Sequence, residues 1–270
     1  MRNTAYKLTA FTAILSAAGF MLRWLQTLRI YEEETGLAQR GAPISFLMAG
    51  VMVLAAAAFL GIGFWIRRYD APLQPQEALA GQTFLYSAVW AVAVLMMLAS
   101  GAAQLLSANA ENYASDQIVI RRIVGVAALA AGAALALLMT RLSDPRRAGL
   151  RRFCAGVLIL FAGLWLSAAY KTAASDPVIW RSAVEILALC ASMLAFYYMA
   201  GYFYGQPNPG MSVTFCNLGA FLCIVSAIDD HPMAENLCFA ATALILLTWS
   251  YLIVANLKPK NLPLEEAIKE

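Results

Sequence analysis

Charged residues are scarce in this chain of 270 residues, and their scarcity limits the classes of protein to which it can belong. Only 13% of the residues are Asp, Glu, Lys or Arg, whereas 61% are hydrophobic, and the mean hydropathy is +0.67. A single soluble core cannot hide so large a share of apolar side chains. The net charge of +3 is small, and the basic residues are scattered along the chain. Both facts argue against a nucleic-acid partner. The sequence therefore predicts a membrane protein whose main partner is the lipid bilayer.

The motifs of familiar enzymes are also missing. The sequence has one histidine and contains no GxxxxGK[ST] phosphate loop, no HExxH and no GxSxG. Its five cysteines lie in or beside apolar segments, without CxxC or zinc-site spacing. No second histidine is present for a haem, and the last two apolar segments contain no lysine for a retinal Schiff base. We therefore expect no cofactor and rank an intramembrane enzyme as the third hypothesis.

Apolar residues occur in blocks of about 18 to 25, the length that a helix needs to cross roughly 30 Å of hydrocarbon. Each block predicts one transmembrane helix, over residues 6–30, 43–66, 77–108, 117–140, 149–170, 177–204, 210–228 and 232–257. The count of eight depends on full breaks at 205–210 and 229–232, because a kink at either place would leave seven. The predicted fold is an all-α polytopic bundle over residues 1–257 with a short C-terminal tail, 258–270.

Basic residues are divided unequally between the two ends of the predicted helices, and this inequality predicts their orientation. Lys and Arg resist translocation and so collect on the cytoplasmic side. One end holds twelve of the nineteen: Arg2, Lys7, Arg67, Arg68, Arg141, Arg146, Arg147, Arg151, Arg152, Lys258, Lys260 and Lys269. We therefore predict that both termini are cytoplasmic and that the protein lies in the cell membrane, which is the cytoplasmic membrane if the source is bacterial.

The eight helices pair into four predicted hairpins, each turning on the outer side through an acidic segment. Internal duplication produces such a pattern, and so does the need of every short hairpin for a polar turn. In the fourth predicted helix, residues 125–134 are mostly Gly and Ala, which permits close backbone contact. We predict that this helix is central in the bundle, or that it contacts a membrane-protein partner or a second copy of the chain.

Polar residues near the outer helix ends form the candidate ligand-binding site, because ionisable groups at membrane depth are costly and usually face a cavity or a partner. They are Arg23, Gln26, Arg29, Gln104, Lys171, Arg181 and Glu185. Helical spacing puts the first three on one face of the first helix and the last two one turn apart on the sixth. Together they predict an outward-facing polar vestibule.

The ligand predicted for this vestibule is small and either anionic or zwitterionic. Arginine binds a carboxylate or phosphate through a bidentate fork, and Glu185 would hold an amine. The alternative is that these side chains reach the membrane interface or pair within one helix, which is common at helix ends. Arg121 and Arg122, at the start of the fourth predicted helix, fit lipid headgroups better.

The only histidine lies in an acidic segment just before the eighth predicted helix. Asp229, Asp230, His231 and Glu235 offer carboxylate and imidazole ligands for a divalent cation. The alternative is helix capping, because a helix N-terminus attracts acids and repels cations. We therefore treat this segment as a weak candidate metal site.

The leading functional hypothesis is a transporter or ligand-binding membrane component for a small polar solute. The chief alternative is a non-transporting accessory or assembly subunit of a membrane complex. A transporter should have a continuous polar path across the membrane, whereas the second, fourth and eighth predicted helices have almost no polar residues in their middles. An outer region closed by Arg–acid pairs, with no cavity, would favour the accessory role.

The predicted orientation can be tested with single introduced cysteines. Glu33→Cys lies on the predicted outer side and should react with a membrane-impermeant maleimide in intact cells. Arg146→Cys lies on the predicted inner side and should react only after permeabilisation. The reverse labelling pattern would show that the charge distribution predicts the wrong orientation.

Overall fold

The computed structural model describes residues 1–30, 43–70, 72, 74–81, 84–110, 115–141, 147–174, 182–229 and 231–259. Most of these residues are helical, and eight of the helices are long and apolar enough to span a bilayer. Large apolar side chains such as Ile14, Phe46 and Leu54 lie exposed on the outside of the bundle, where a lipid environment accommodates them. The chain is therefore an all-α multi-pass membrane protein, as the sequence predicts.

The described residues form helices and two short strands. The helices are α1 (Arg2–Ile30), α2 (Pro43–Ile66), the short α3 (Pro75–Ala78), α4 (Phe84–Ala110), α5 (Ser115–Arg141), α6 (Ala148–Ala174), α7 (Ala183–Phe203), α8 (Pro209–Ser226) and α9 (Met233–Ala255). Strands β1 (Tyr69–Asp70) and β2 (Lys258–Pro259) pair antiparallel. This pairing holds the chain after α9 beside the chain after α2. The rest of the predicted tail, 260–270, lies outside the described residues.

Both breaks on which the count of eight depends are present. Gly205 has a φ of +75°, and the N–H of Gln206 donates to the carbonyl of Gly201 at 2.8 Å, the pattern of a glycine-terminated helix. Asn208 then caps α8 by accepting from the N–H of Met211 at 3.2 Å, with Pro209 as the first helical residue. The prediction of eight membrane-spanning helices is confirmed.

The predicted third helix, 77–108, is wrong at its start. Residues 75–78 form the separate turn α3, and residues 79–81 are not helical before α4 begins at Phe84. The side chain of Asn256 donates to the carbonyls of Ala78 at 3.0 Å and Ala80 at 3.1 Å. In a continuous helix these carbonyls would accept from backbone N–H groups. Here they accept from Asn256, so a residue just beyond α9 stabilises the break.

The centre of the bundle is formed by α8 and α9. In each of these two helices, 72% of the most apolar 18-residue stretch is buried inside the protein, compared with 44% in α5 and 22% in α2. The prediction that the fourth spanning helix, α5, is central is therefore wrong. Its small residues instead permit close packing on α4: a Cβ added to Gly101 would lie 2.8 Å from the carbonyl oxygen of Gly125. Contact of α5 with a partner or second copy stays a prediction.

Hydrogen bonds in the core join three helices through Asn217 on α8. Its Oδ1 accepts from the hydroxyl of Thr12 on α1 at 2.8 Å, and its Nδ2 donates to the hydroxyl of Ser250 on α9 at 2.6 Å. The amide is 1% exposed, so water does not compete with these bonds. They fix α1 against the central pair of helices.

The α4–α5 contact generates a stability prediction. Gly101→Val should destabilise the protein by about 1–3 kcal/mol, because the added side chain meets the α5 backbone in a tightly packed interface. The matched control is Gly156→Val on α6, where an added Cβ meets nothing within 4 Å. Thermal unfolding in detergent should show a clear loss for the first variant and little change for the second. Equal effects would contradict the described packing.

Candidate functional site

A cavity of ≈ 420 Å³ lies at the end of the bundle that the charge distribution predicts to be outside. Its ionisable lining side chains are Arg121, Glu185, Asp229, His231 and Glu235. Its uncharged polar lining residues are Gln104, Gln117, Thr172 and Ser182. Polar groups from five spanning helices and from the turn between α8 and α9 thus meet around one space.

Helix geometry explains why these residues meet. At this end α4, α6 and α8 finish and α5, α7 and α9 begin, so residues near those ends face one another. Glu185 and Glu235 lie in the first turns of α7 and α9, where the helix dipole favours acids. Gln104 and Arg121 lie further from the ends of α4 and α5, which gives the cavity its depth.

A buried ion pair borders the cavity. Nε of Arg23 on α1 lies 2.7 Å from Oδ1 of Asp229 in the α8–α9 turn, and the two side chains are 2% and 9% exposed. The guanidinium also donates to Oε1 of Gln26 at 2.9 Å, whose amide donates to Ser45 on α2 at 3.3 Å. These bonds attach α1 and α2 to the turn that carries His231.

Glu185, His231 and Glu235 form the closest group of ionisable side chains in the cavity. One ligand atom from each lies within 4.8 Å of the other two. Nδ1 of His231 is 3.7 Å from Oε2 of Glu235, and Nη2 of Arg121 is 3.9 Å from Oε1 of the same carboxylate. Nε2 of His231 is 3.5 Å from the hydroxyl of Ser226. The group combines two carboxyl groups and an imidazole, with the guanidinium of Arg121 beside it.

Aromatic rings pack beside the cavity. Trp165 on α6 lines the cavity and contacts Phe239 on α9, with ring centroids 4.6 Å apart. Phe239 also packs on the ring of His231 at 5.3 Å. Below them, Trp249 contacts Trp90 and Phe196 in the apolar core. Trp165 is therefore an aromatic lining residue, backed by the buried ring of Phe239.

The structure brings together some of the residues that the sequence singles out. Gln104 and Glu185 line the cavity, and Arg23 borders it through Asp229. Gln26 is buried beside Arg23. Lys171 is exposed on α6 and is not among the lining residues. Arg181, Asp230 and the side chain of Arg29 lie outside the described residues, so their predicted roles stay predictions.

Gln117, Thr172 and Ser182 also line the cavity but were not candidates in the sequence. Gln117 and Arg121 are one helical turn apart on α5, a spacing that could have indicated a shared polar face. Arg121, which fits lipid headgroups from its sequence position, lines the cavity instead. Thr172 and Ser182 carry no such signal, because single hydroxyls near helix ends are common in membrane proteins.

Comparisons with models of known protein families, with curated proteins and with solved structures find no match. Carboxylates and an imidazole around one cavity bind cations or amines, and a guanidinium beside them binds an anionic group. The arrangement suits a small ligand with a positive charge.

The Arg23–Asp229 pair generates a second stability prediction. Arg23→Gln should cost about 3–5 kcal/mol, because it leaves a buried carboxylate without its cation. Adding Asp229→Asn should restore most of this loss, because the double variant leaves no isolated charge. Thermal unfolding of the two single variants and the double variant measures the coupling. Additive losses would contradict a direct buried pair, and Arg68→Gln, an exposed arginine at the opposite end, is the control.

Proposed function

We propose that this protein binds a small solute with a positively charged group in the outer cavity, from the outer face of the cell membrane. In a bacterium this is the cytoplasmic membrane. The observation that carries the proposal is the convergence of Glu185, Asp229 and Glu235 on one cavity of ≈ 420 Å³. This size lies within the range of about 300–1,000 Å³ that small-molecule sites occupy.

The charges around the cavity favour a cationic or zwitterionic solute over a purely anionic one. Asp229 is matched by Arg23 at 2.7 Å. Glu185 and Glu235 remain, with Arg121 as the basic residue that lines the same space. Because carboxylates outnumber guanidiniums in this lining, an anion alone would meet net repulsion. An amine group would instead lie between the two glutamates.

Arg121 gives the cavity a place for the anionic group of a zwitterion. Its Nη2 lies 3.9 Å from Glu235, so positive and negative protein groups stand side by side. A solute such as an amino acid presents the opposite pair of charges at a similar spacing. Partial exclusion of water strengthens both contacts.

The aromatic rings beside the cavity bear on the choice between binding and transport. Trp165 lines the cavity and contacts Phe239, which is fully buried, and the polar lining residues lie toward the outer helix ends. A cavity lined in this way fits binding from the outer face, and transport would require a path past these rings. The accessory-subunit alternative expected an outer end closed by Arg–acid pairs with no cavity. An Arg–acid pair is present here, but so is a cavity, which supports the binding role.

A thermal-shift panel of amino acids, diamines and quaternary amines, run on detergent-purified protein, tests the proposal. At 100 times its dissociation constant, a bound solute should stabilise the folded state by about 2.7 kcal/mol. Glu185→Gln should remove this stabilisation. Arg121→Gln should weaken zwitterions more than simple amines, because it removes the contact to the anionic group.

Controls for this panel come from charges outside the cavity. Glu77→Gln and Arg68→Gln each remove one exposed charge and should leave the thermal shifts unchanged. The proposal fails if no compound in the panel stabilises the protein, or if Glu185→Gln responds like the parent. Uptake of a positive compound into proteoliposomes then measures whether binding is coupled to transport.

A further inference from the structure

We propose that Glu185, His231 and Glu235 form a site for one first-row divalent metal ion within the cavity. One ligand atom from each lies within 4.8 Å of the others, and the His231–Glu235 separation is 3.7 Å. Tetrahedral coordination with bonds of about 2.0–2.2 Å needs ligand atoms roughly 3.4 Å apart. A small rotation of each glutamate side chain about its three bonds would cover this difference.

The state of Glu185 is an independent observation that indicates a bound cation. Glu185 is 9% exposed, and it lines the cavity. It makes no hydrogen bond or ion pair with the part of the chain that the structure describes. Oδ2 of Asp229 is likewise buried without a hydrogen-bond partner among these residues. Buried charges in proteins are usually paired or coordinate metals. Glu185 has neither kind of partner among the described residues, so its carboxyl group is placed to accept a cation from the cavity.

His231 is oriented as a metal ligand. Its Nε2 faces the hydroxyl of Ser226 at 3.5 Å, and its Nδ1 faces Glu235. When Nε2 carries the proton, it donates toward Ser226 and leaves the Nδ1 lone pair directed at the cluster. Metal-bound histidines commonly donate their second ring N–H in this way. The contact with the Phe239 ring at 5.3 Å further limits rotation of the imidazole.

Two features repel a cation here, and the attraction of the carboxyl groups outweighs both. The N-terminus of α9 carries partial positive charge, which falls off within one turn. Arg121 contacts Oε1 of Glu235 at 3.9 Å, whereas His231 faces the other oxygen, Oε2. The arginine therefore leaves one oxygen of Glu235 directed at the cluster. Glu185 adds a second carboxyl group to the same cavity.

The donor set indicates which ions would bind. An imidazole with two carboxylates suits Zn²⁺, Mn²⁺ or Fe²⁺ better than Mg²⁺ or Ca²⁺, which prefer oxygen ligands alone. Three protein ligands leave at least one coordination position for water or a solute. This inference rests on the proposed function, because it makes a metal ion the positive group that the cavity holds. Arg121 would then contact an anionic ligand of that metal.

Calorimetric titration of the full chain with Zn²⁺ in detergent tests the site. The protein must carry no histidine tag, because His231 is its only imidazole. We expect one Zn²⁺ per chain and much weaker binding of Mg²⁺. Glu185→Gln, His231→Ala and Glu235→Gln should each weaken Zn²⁺ binding by about 100-fold or more, since loss of outer-shell partners alone costs 10–100-fold. Glu77→Gln and Cys190→Ser are the matched controls and should bind normally.

X-ray absorption of the Zn²⁺-bound parent protein keeps the test decisive if a variant fails to fold. The site predicts nitrogen and oxygen ligands at about 2.0–2.2 Å with one imidazole, and sulfur ligands at about 2.3 Å would overturn it. Absence of Zn²⁺ binding, or unchanged binding in Glu185→Gln and His231→Ala, would also overturn it. Solute stabilisation measured with chelator present separates the two proposals: a positive shift with no Zn²⁺ binding retains the solute site and removes the metal.

Discussion

The buried ion pair between Arg23 and Asp229 is the interaction on which the outer end of this protein depends. Both side chains are removed from water, so separating them would leave a charge in a low-dielectric environment. Asp229 lies in the turn between the two central helices, and Arg23 lies on α1. The pair therefore fixes the turn that positions His231 and the first residues of α9. Gln26 and Ser45 extend this attachment to α2.

Polar residues in the core and at the outer end have different roles: the first join helices, and the second face a cavity. Asn217 is buried in the middle of α8, and its amide is bonded to Thr12 and Ser250. The hydrogen bonds of this amide hold three helices together. Glu185 is also buried, but it faces a cavity and has no hydrogen-bond partner among the described residues. Burying an ionisable group at membrane depth is energetically unfavourable, and a bound ligand can offset that free energy.

Much of the fold could be predicted because its causes are local. The lengths of the apolar blocks predict the number of spanning helices, and Gly205, Asn208 and Pro209 mark a break within a few residues of sequence. The start of the third spanning helix could not be predicted in this way. Its break depends on Asn256, which lies 178 residues away from Ala78. Small residues on α5 likewise predict a close contact but not its partner, which is α4 rather than the bundle centre.

The candidate site shows the same division between local and distant causes. Glu185, Gln104 and Glu235 could be recognised as polar residues near outer helix ends. The partner of Arg23 could not, because spacing groups this arginine with Gln26 and Arg29, whereas Asp229 is 206 residues away. That partner changes the expected chemistry. Arg23 is engaged within the protein, and the carboxylates rather than the arginines dominate the cavity.

Binding of a positively charged ligand in the outer cavity can be measured directly at His231. Because the chain has one histidine, the ring ¹⁵N resonances of labelled protein in nanodiscs report on this cavity alone. Zn²⁺, or a solute that stabilises the protein, should shift these resonances, and Glu185→Gln should abolish the shift. Resonances that stay unchanged at saturating concentrations of Zn²⁺ and of every solute tested would contradict it.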